Sequence, residues 1–298
     1  MNRWERGVVW MVALFGAFAF VRYSVWLLPA AIVIYIAGAI DAFVATYRAP
    51  EESGVNALGV VVVIVANIVM AFVLRAFVVE AFKIPSSAMY PTLHIGDHIF
   101  IRKTKSVERA DVVVFKYPCM TDRDYIKRVV AKAGDTVEVR CGTVYVNAKP
   151  APVQLVTAQE AYSDFDESAG QSFKRDVSRY RETLDGRTHE IYQPVGGAEA
   201  LAIRDFPSAG EAPRCMEGGA EDRGKIVVTK PDATPCELQR HYVVPADHVF
   251  VMGDHRANSN DSRIWGSVPV SYLKGTVIGI WLSTGPENGT FSRFGDVH

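Results

Sequence analysis

Three long apolar segments dominate the first quarter of the chain. An α-helix rises about 1.5 Å per residue, so a helix that crosses a hydrocarbon layer of about 30 Å needs about 20 apolar residues. The third segment meets this length, the second meets it if Asp41 lies near its end, and the first is marginal. The pattern predicts a membrane anchor over residues 1–76, with transmembrane spans at about 8–22, 25–45 and 57–75.

The first segment also fits a cleavable secretory signal, because Arg3 and Arg6 precede it. Two more apolar segments follow closely and no convincing small-x-small cleavage site is present, so we prefer the anchor. With three spans and a cytoplasmic amino end, Arg3, Arg6 and Arg48 face the cytoplasm, whereas Arg22 and Arg75 face outward. This small excess of arginines on the cytoplasmic side predicts that everything after Arg75 lies on the outer side.

From Phe77 onward the pattern changes to short runs of β-branched and aromatic residues, punctuated by Gly-Asp pairs and Asn147. The predicted strands are His98–Ile101, Asp111–Phe115, Tyr125–Val130, Thr136–Val139, Thr143–Val146, His248–Met252 and Gly275–Leu282. This succession predicts a β-rich, mainly antiparallel domain.

Residues 148–242 differ from the segments on either side, since they are more charged and contain Gly, Pro and Ser. Two strands are predicted within them, Thr188–Tyr192 and Lys225–Val228. We interpret this stretch as an inserted β subdomain that separates two parts, residues 77–147 and 243–298, of one β domain.

The charge distribution supports the division into an apolar and a polar part. Residues 1–84 hold 11 of the 65 Asp, Glu, Lys and Arg residues in the 298-residue chain. A net charge of −1 without a basic block argues against a nucleic-acid partner.

His94 and His98 are four residues apart, as two metal ligands on one helical face would be, but Gly96 and Asp97 predict a turn between them. We therefore expect no metal and no cofactor.

Four cysteines, Cys119, Cys141, Cys215 and Cys236, lie in the part predicted to be on the outer side. Four cysteines allow three complete pairings, and the sequence does not choose among them. In an oxidising compartment we expect Cys215 to pair with Cys236, because both belong to the insert.

Three segments carry the candidate chemistry: Phe82–Leu93 (FKIPSSAMYPTL), Tyr125–Val130 (YIKRVV) and Met252–Gly266 (MGDHRANSNDSRIWG). Together with the strand Asp111–Pro118 they closely resemble bacterial type I signal peptidase, the membrane-anchored serine protease that removes signal peptides from exported proteins. The resemblance implies that residues 77–147 and 243–298 form the catalytic domain and that the insert is non-catalytic.

The resemblance implies a Ser/Lys dyad in which Lys127 is the general base. A lysine has a pKa of about 10.4 in water, so burial among apolar groups must lower it by roughly 3 units for the amine to be neutral near pH 7–8. Ile126, Val129 and Val130 supply such neighbours, and strand alternation places Arg128 on the other face. The alternative interpretation is a solvated Lys-Arg pair on an exposed strand.

The family's serine nucleophile falls at Ala88. A methyl group cannot attack a carbonyl, and loss of the nucleophile costs a serine protease on the order of a millionfold in turnover. The chain as written is therefore predicted to be inactive. Ser87 is displaced by one residue and would point to the opposite face of an extended segment.

Other residues match the family's supporting positions. Ser86 matches the serine whose hydroxyl, with the backbone N–H of position 88, forms the oxyanion hole. Ser259 matches the serine that orients the lysine. Because these residues and Lys127 are in place, we favour a deliberate Ala88 substitution over a natural pseudoenzyme, although both stay open. His255 is not required by the family.

Two ion pairs are implied by the resemblance, Arg128 with Asp254 and Asp261 with Arg263, and they would hold the catalytic strands in register. Ordinary loop salt bridges of little energetic weight are the alternative. The resemblance also implies two shallow apolar pockets for a small-x-small substrate motif, lined by Phe82, Ile84, Met89, Leu93, Tyr125 and Ile126. Leu93 is equally well explained as a core residue.

The implied partners are signal peptides of exported preproteins and the lipid bilayer, and the chain is expected to be a monomer. Its expected location is the bacterial inner membrane, with the catalytic domain on the periplasmic side. The competing hypothesis is a membrane-anchored protein that holds export substrates without cutting them.

Overall fold

The computed structural model describes residues 9–10, 12–13, 16–17, 20, 23–47, 65, 79–166, 171–208, 211–215, 224–285 and 289–297. Most of the first predicted span, and all of the third except residue 65, lie outside these residues. The chain divides into two compact units. The first comprises Met1–Phe82, His98–Lys103 and Ile278–Asp296, and the second Lys83–Asp97, Thr104–Val277 and Val297–His298.

Sixteen strands lie within the described residues: β1 (Val79–Lys83), β2 (Asp97–Arg102), β3 (Val112–Lys116), β4 (Asp124–Lys132), β5 (Thr136–Arg140), β6 (Thr143–Val146), β7 (Lys149–Pro150), β8 (Val153–Asp166), β9 (Gln171–Leu184), β10 (Arg187–Gln193), β11 (Lys225–Val228), β12 (Arg240–Val243), β13 (His248–Met252), β14 (Val268–Pro269), β15 (Leu273–Ser283) and β16 (Gly295–Asp296). The helices whose bounds the structure describes are α1 (Leu28–Tyr47), α2 (Ala198–Ala202) and α3 (Ser262–Trp265), and 3₁₀ turns lie at Val25–Leu27, Ser87–Met89 and Val270–Tyr272.

In the first unit, the start of the helical segment is bound to the chain's last strand. The hydroxyl of Ser24 donates to Asp296 (2.7 Å), and the Val25 N–H donates to the same carboxylate (2.8 Å). The Trp26 ring meets Phe294 edge-on with a centroid distance of 4.9 Å. The sheet of this unit runs in the order β1-β2-β15, with β16 paired antiparallel to β15.

Helix α1 occupies most of the second predicted span. Among the residues that the structure describes, no helix is both long and apolar enough to cross a membrane. The membrane anchor therefore stays a prediction.

In the second unit, one antiparallel sheet carries the segments that the sequence analysis singled out. Its order is β15-β3-β4-β13-β14. Lys127 on β4 lies opposite Val113 on β3, and its neighbour Arg128 lies opposite Met252 on β13. Apolar side chains of β3, β4, β13 and β15 form a buried cluster under this sheet. The expected β-rich, mainly antiparallel architecture is confirmed, because every strand pair whose register the structure describes is antiparallel.

The second unit contains two further sheets. One has the order β10-β9-β8 and lies wholly within the predicted insert. The other has the order β11-β12-β5-β6-β7, so β12, at the end of the predicted insert, pairs with β5 before the insert, and β11 pairs with β12. The division at residues 148 and 242 stays a prediction, but the β11–β12 pair is continuous with the β5 sheet.

The expected Cys215–Cys236 disulfide is wrong. Cys119 is bonded to Cys215 and Cys141 to Cys236, each pair with Cα atoms 5.3 Å apart. The reason lies in the strand pairing: β12 runs antiparallel to β5, which brings the turn before β12 beside the turn after β5. Cys236 lies in the first turn and Cys141 in the second. The prediction was wrong because it paired two cysteines that are near each other in the sequence, whereas strand pairing brings each of them beside a more distant cysteine.

Candidate active site

Position 88 lies in a short 3₁₀ turn, Ser87–Met89, directly after the extended residue Ser86. The turn is fixed by backbone hydrogen bonds from the Tyr90 N–H to the Ser87 carbonyl (3.0 Å) and from the Leu93 N–H to the Met89 carbonyl (2.9 Å). Ser87 and Met89 are buried, whereas position 88 is half-buried and Ser86 is exposed. The turn therefore presents positions 86 and 88 toward its accessible side.

Lys127 lies inside the protein, on the strand β4 against which this turn packs. The residue is only 4% exposed, and its Nζ donates to the Ile126 carbonyl (2.9 Å). The same atom lies 5.4 Å from the centre of the Tyr125 ring. Because Arg128 is also fully buried, the alternative of a solvated Lys-Arg pair is excluded.

Burial lowers the pKa of Lys127 from 10.5 to about 8, against the opposing attraction of Asp261 and Asp254. The positive charge of Arg263 lowers the pKa further. A lysine in this state is a proton acceptor at mildly alkaline pH, which a solvated lysine is not.

A buried amine of this kind destabilises the fold at neutral pH. The unfolded chain holds the Lys127 proton up to pH 10.5 and the folded chain only up to about 8, a difference of about 3 kcal/mol. Stability therefore rises with pH between these values. We expect Lys127→Met to stabilise the chain by about 3 kcal/mol at pH 7 and to lose this advantage by pH 10.5. Urea unfolding in detergent at both pH values measures the effect, and an equal advantage at both would contradict it.

The loop after β13 approaches position 88 closely. A Cβ on Gly253 would overlap both the Ala88 carbonyl oxygen and the Ser259 side chain, so only glycine fits between them. The His255 N–H donates to the same Ala88 carbonyl (3.2 Å). Ser259 is 3% exposed, and its Oγ has no hydrogen-bond partner of normal geometry among the described residues. Position 88 and Ser259 are thus brought together.

Both ion pairs named by the resemblance are present and buried. Arg128 binds Asp254 through two hydrogen bonds (2.8 and 2.7 Å) and also donates to the Ala110 carbonyl. Arg263 binds Asp261 in the same way (2.8 and 2.7 Å). Burial alone raises the pKa of each carboxyl, but the arginine partners outweigh burial and lower it.

Asp261 ties several backbone groups together. It accepts from the Gly253 N–H (3.1 Å) and, as the N-cap of α3, from the Arg263 N–H (3.2 Å). The glycine that contacts position 88 is therefore held by the same carboxylate that binds Arg263.

The residues expected to line substrate pockets differ in how far they are exposed to solvent. Ile84, Met89 and Leu93 are at most 2% exposed, and Ile126 is 9% exposed. This degree of burial favours the core interpretation of Leu93. Tyr125 is half-buried and stacks on Tyr117 with a centroid distance of 4.2 Å. Phe82 belongs to the first unit.

Two buried polar clusters beside the site were missed by the sequence analysis. In one, Arg256 binds Glu182 (2.8 Å), which also contacts His189 (3.1 Å). In the other, the Ser87 hydroxyl donates to Asp164 (2.8 Å). Both join the loop or the turn to strands more than 70 residues away in the sequence, and neither has a local motif that reveals it.

Comparison with known proteins decides the family. The sequence profile of the family described as "Signal peptidase, peptidase S26" matches residues 57–282. The chain belongs to this family. The signal peptidase I of Aquifex aeolicus is 30% identical over 204 residues, covering 67% of this chain and 74% of the relative. That of Pseudomonas aeruginosa is 30% identical over 247 residues, covering 72% and 70%.

Among solved structures, a signal peptidase I from Enterococcus faecalis is similar over 57% of this chain and 96% of its own, with 18% identity and a TM-score of 0.27. The matched region of the signal peptidase family profile includes the turn at position 88, Lys127 and the Met252–Gly266 segment. Membership in this family of serine endopeptidases therefore covers all three segments that the sequence analysis selected.

Proposed function

We propose that this chain carries the active site of a type I signal peptidase of the Ser/Lys kind, in which Ala88 holds the place of the nucleophile. The supporting observation is the buried amine of Lys127, whose pKa is lowered to about 8, on the strand against which the turn of position 88 packs. A side chain with this pKa, beside a turn that presents an accessible position, fits a general base and its nucleophile.

With a serine at position 88, each group has one role. The neutral Lys127 amine takes the proton of the serine hydroxyl as its oxygen attacks the scissile carbonyl. The exposed Ser86 hydroxyl and the N–H of position 88 stabilise the oxyanion that forms. The ammonium of Lys127 then returns the proton to the departing amine, and a water molecule completes hydrolysis of the acyl-enzyme. We propose that Ser259, whose Oγ makes no hydrogen bond to Lys127 among the described residues, orients the amine once a serine at position 88 and a substrate are in place. No cofactor takes part.

The proposed substrates are signal peptides of exported preproteins, which end in a small-x-small motif. The peptide would bind extended beside Ile84–Ser86, with backbone hydrogen bonds giving affinity and apolar pockets giving selectivity. We propose that the chain acts as a monomer, anchored in the bacterial inner membrane with this site on the periplasmic side.

In this proposal the chain binds preproteins but does not cleave them, because Ser86 serves the oxyanion hole and the hydroxyl of Ser87, directly before position 88, is already engaged. Ser87 is buried, its hydroxyl donates to Asp164, and it accepts a hydrogen bond from Asn258 (3.0 Å). Its oxygen is therefore engaged away from the accessible side of the turn.

Restoration of a serine at position 88 tests the proposal, with a full-length preprotein as substrate and the whole chain in detergent micelles. Cleavage after the small-x-small motif supports a signal peptidase with a disabled site. A folded Ala88→Ser chain that binds the preprotein without cutting it would instead support the competing hypothesis of a non-cleaving binder.

The pH dependence of the restored enzyme follows from the state of Lys127. Only the neutral amine accepts the serine proton, so we expect kcat/KM to rise with pH through an apparent pKa of about 8 and to level off above it. Initial rates of peptide cleavage between pH 6 and 10 measure this profile. Rates that still rise steeply at pH 10, without levelling off, would show that the amine is solvated.

A further inference from the structure

Ser87, the residue before the nucleophile position, is held by a buried hydrogen-bond network that takes no part in the steps of the proposed reaction. Its hydroxyl donates to Asp164 Oδ1 (2.8 Å) and accepts from Asn258 Nδ2 (3.0 Å). Ser87 is 4% exposed and Asp164 7% exposed. The side chain of Ser87 therefore anchors the turn rather than reacting.

The Asp164 carboxylate joins this turn to two other parts of the second unit. Its Oδ2 accepts from the Tyr162 hydroxyl (3.2 Å) and from Asn258 Nδ2 (3.1 Å), and it is paired with Arg175 Nε (3.1 Å). Tyr162 lies on β8 with Asp164, Arg175 lies on β9, and Asn258 lies in the loop after β13. A carboxylate with donors on several sides cannot rotate without breaking more than one hydrogen bond.

His255 closes the network on the other side of the turn. Its Nδ1 accepts from the Asn258 N–H (3.1 Å), so Nε2 carries the proton and donates to the Tyr162 hydroxyl (2.8 Å). Burial lowers the pKa of His255 to about 4, which keeps the ring neutral at pH 7. The backbone N–H of His255 also donates to the Ala88 carbonyl. The hydrogen bonds therefore lead from Ser87 through Asp164, Tyr162 and His255 back to position 88.

The three-stranded sheet that carries Asp164 is fixed to the same loop independently of this carboxylate. The Tyr192 N–H of β10 donates to the Asp254 carbonyl (2.9 Å), and the Arg256 N–H donates to the Tyr192 carbonyl (2.8 Å). The Tyr162 ring packs against Tyr90 with a centroid distance of 5.3 Å. Loss of Asp164 would therefore leave the sheet attached through β10, while it would remove the carboxylate that holds Ser87 and that also binds Tyr162, Asn258 and Arg175.

From this geometry we propose that Asp164 is a positioning residue for the nucleophile turn. By holding Ser87, it fixes the orientation of the side chain and of the backbone N–H at position 88. The catalytic consequence rests on the function proposed above, whereas the effect on the turn does not. The proposal also gives part of the predicted insert a role, as the support of the turn.

The first experiment measures hydrogen exchange in the full chain with Ala88 retained. We expect Asp164→Asn and Ser87→Ala each to speed deuterium uptake by the peptide that covers residues 86–93 about tenfold, because the first removes the charge of the acceptor that holds Ser87 and the second removes the donor. The matched control is Asp176→Asn on the exposed part of β9, for which we expect unchanged uptake.

The second experiment uses the Ala88→Ser background and separates positioning from substrate binding. We expect each variant to lower kcat about tenfold with KM unchanged, since misplacement of a reacting group slows the chemical step. We expect the Ser87→Ala/Asp164→Asn double variant to be no slower than Asp164→Asn alone, because the Ser87 hydroxyl acts on the turn through Asp164. The Asp176→Asn control keeps its kcat.

Three results would overturn the positioning role: unchanged exchange at residues 86–93, fully additive effects in the double variant, or a loss confined to KM. If Asp164→Asn fails to fold, the smaller Ser87→Ala change decides by the same exchange readout. If the Ala88→Ser chain does not cleave at all, the proposed function fails while the exchange experiment still decides the role of Asp164.

Discussion

We expect Ala88→Ser to raise the turnover of a preprotein by the chain on the order of a millionfold. The estimate follows from serine proteases, in which removal of the nucleophile alone costs about this factor. The gain is large because the other groups are already placed: Lys127 is buried with a lowered pKa, and Ser86 lies on the accessible side of the turn. Mass spectrometry of the released peptide identifies the cut, and the initial rate gives the factor.

The control for this experiment is the same restored chain with Lys127→Met. Methionine has a similar length and no amine, so it removes the base without opening a cavity. We expect cleavage to fall to the level of the original chain while stability at pH 7 rises. Equal cleavage with and without the amine would mean that another group activates the serine, and the dyad would then be the wrong mechanism.

The largest expected loss of stability comes from Asp254→Ala. This change leaves the guanidinium of Arg128, which is fully buried, without its bidentate partner. Removal of one partner of a buried ion pair costs about 3–5 kcal/mol, because the remaining charge is neither solvated nor compensated. Urea unfolding of the full chain, followed by tryptophan fluorescence, measures this loss.

Two comparisons separate the cost of an uncompensated charge from loss of the pair itself. The double variant Arg128→Met/Asp254→Leu removes both charges, and we expect it to be substantially more stable than Asp254→Ala. Glu237→Ala removes an exposed partner of Lys230, for which we expect no measurable loss. If Asp254→Ala and the double variant were equally unstable, packing rather than charge would explain the loss.

The strands of the second unit could be predicted because their information is local. Runs such as Asp111–Phe115 and Tyr125–Val130 are apolar, β-branched and bounded by turn residues, and the structure contains β3 and β4 at these positions. The long strands β8 and β9 were missed. Their 14-residue sequences mix charged and apolar residues, and the two strands pair with each other from Val153 to Asp166, which no local pattern of apolar residues indicates.

The candidate site could likewise be predicted only where its information is local in the sequence. Lys127 could be selected from its short apolar neighbourhood and from the resemblance of the segment, but its burial depends on strands that pack around it. Asp164 could not be selected, because its importance comes from a contact with Ser87 across 77 residues of sequence. The predicted disulfide pairing was wrong for the same reason, since strand order rather than spacing in the sequence decides which cysteines meet.

The two disulfides overlap along the chain, because the bond from Cys119 to Cys215 begins before, and ends before, the bond from Cys141 to Cys236. Any single backbone cut between residues 119 and 236 consequently leaves two pieces that are still covalently joined. A protease that cuts the chain once between β8 and β9 would not release β8. The support of the nucleophile turn would then survive a break in the main chain, and the break would become visible on a gel only after reduction.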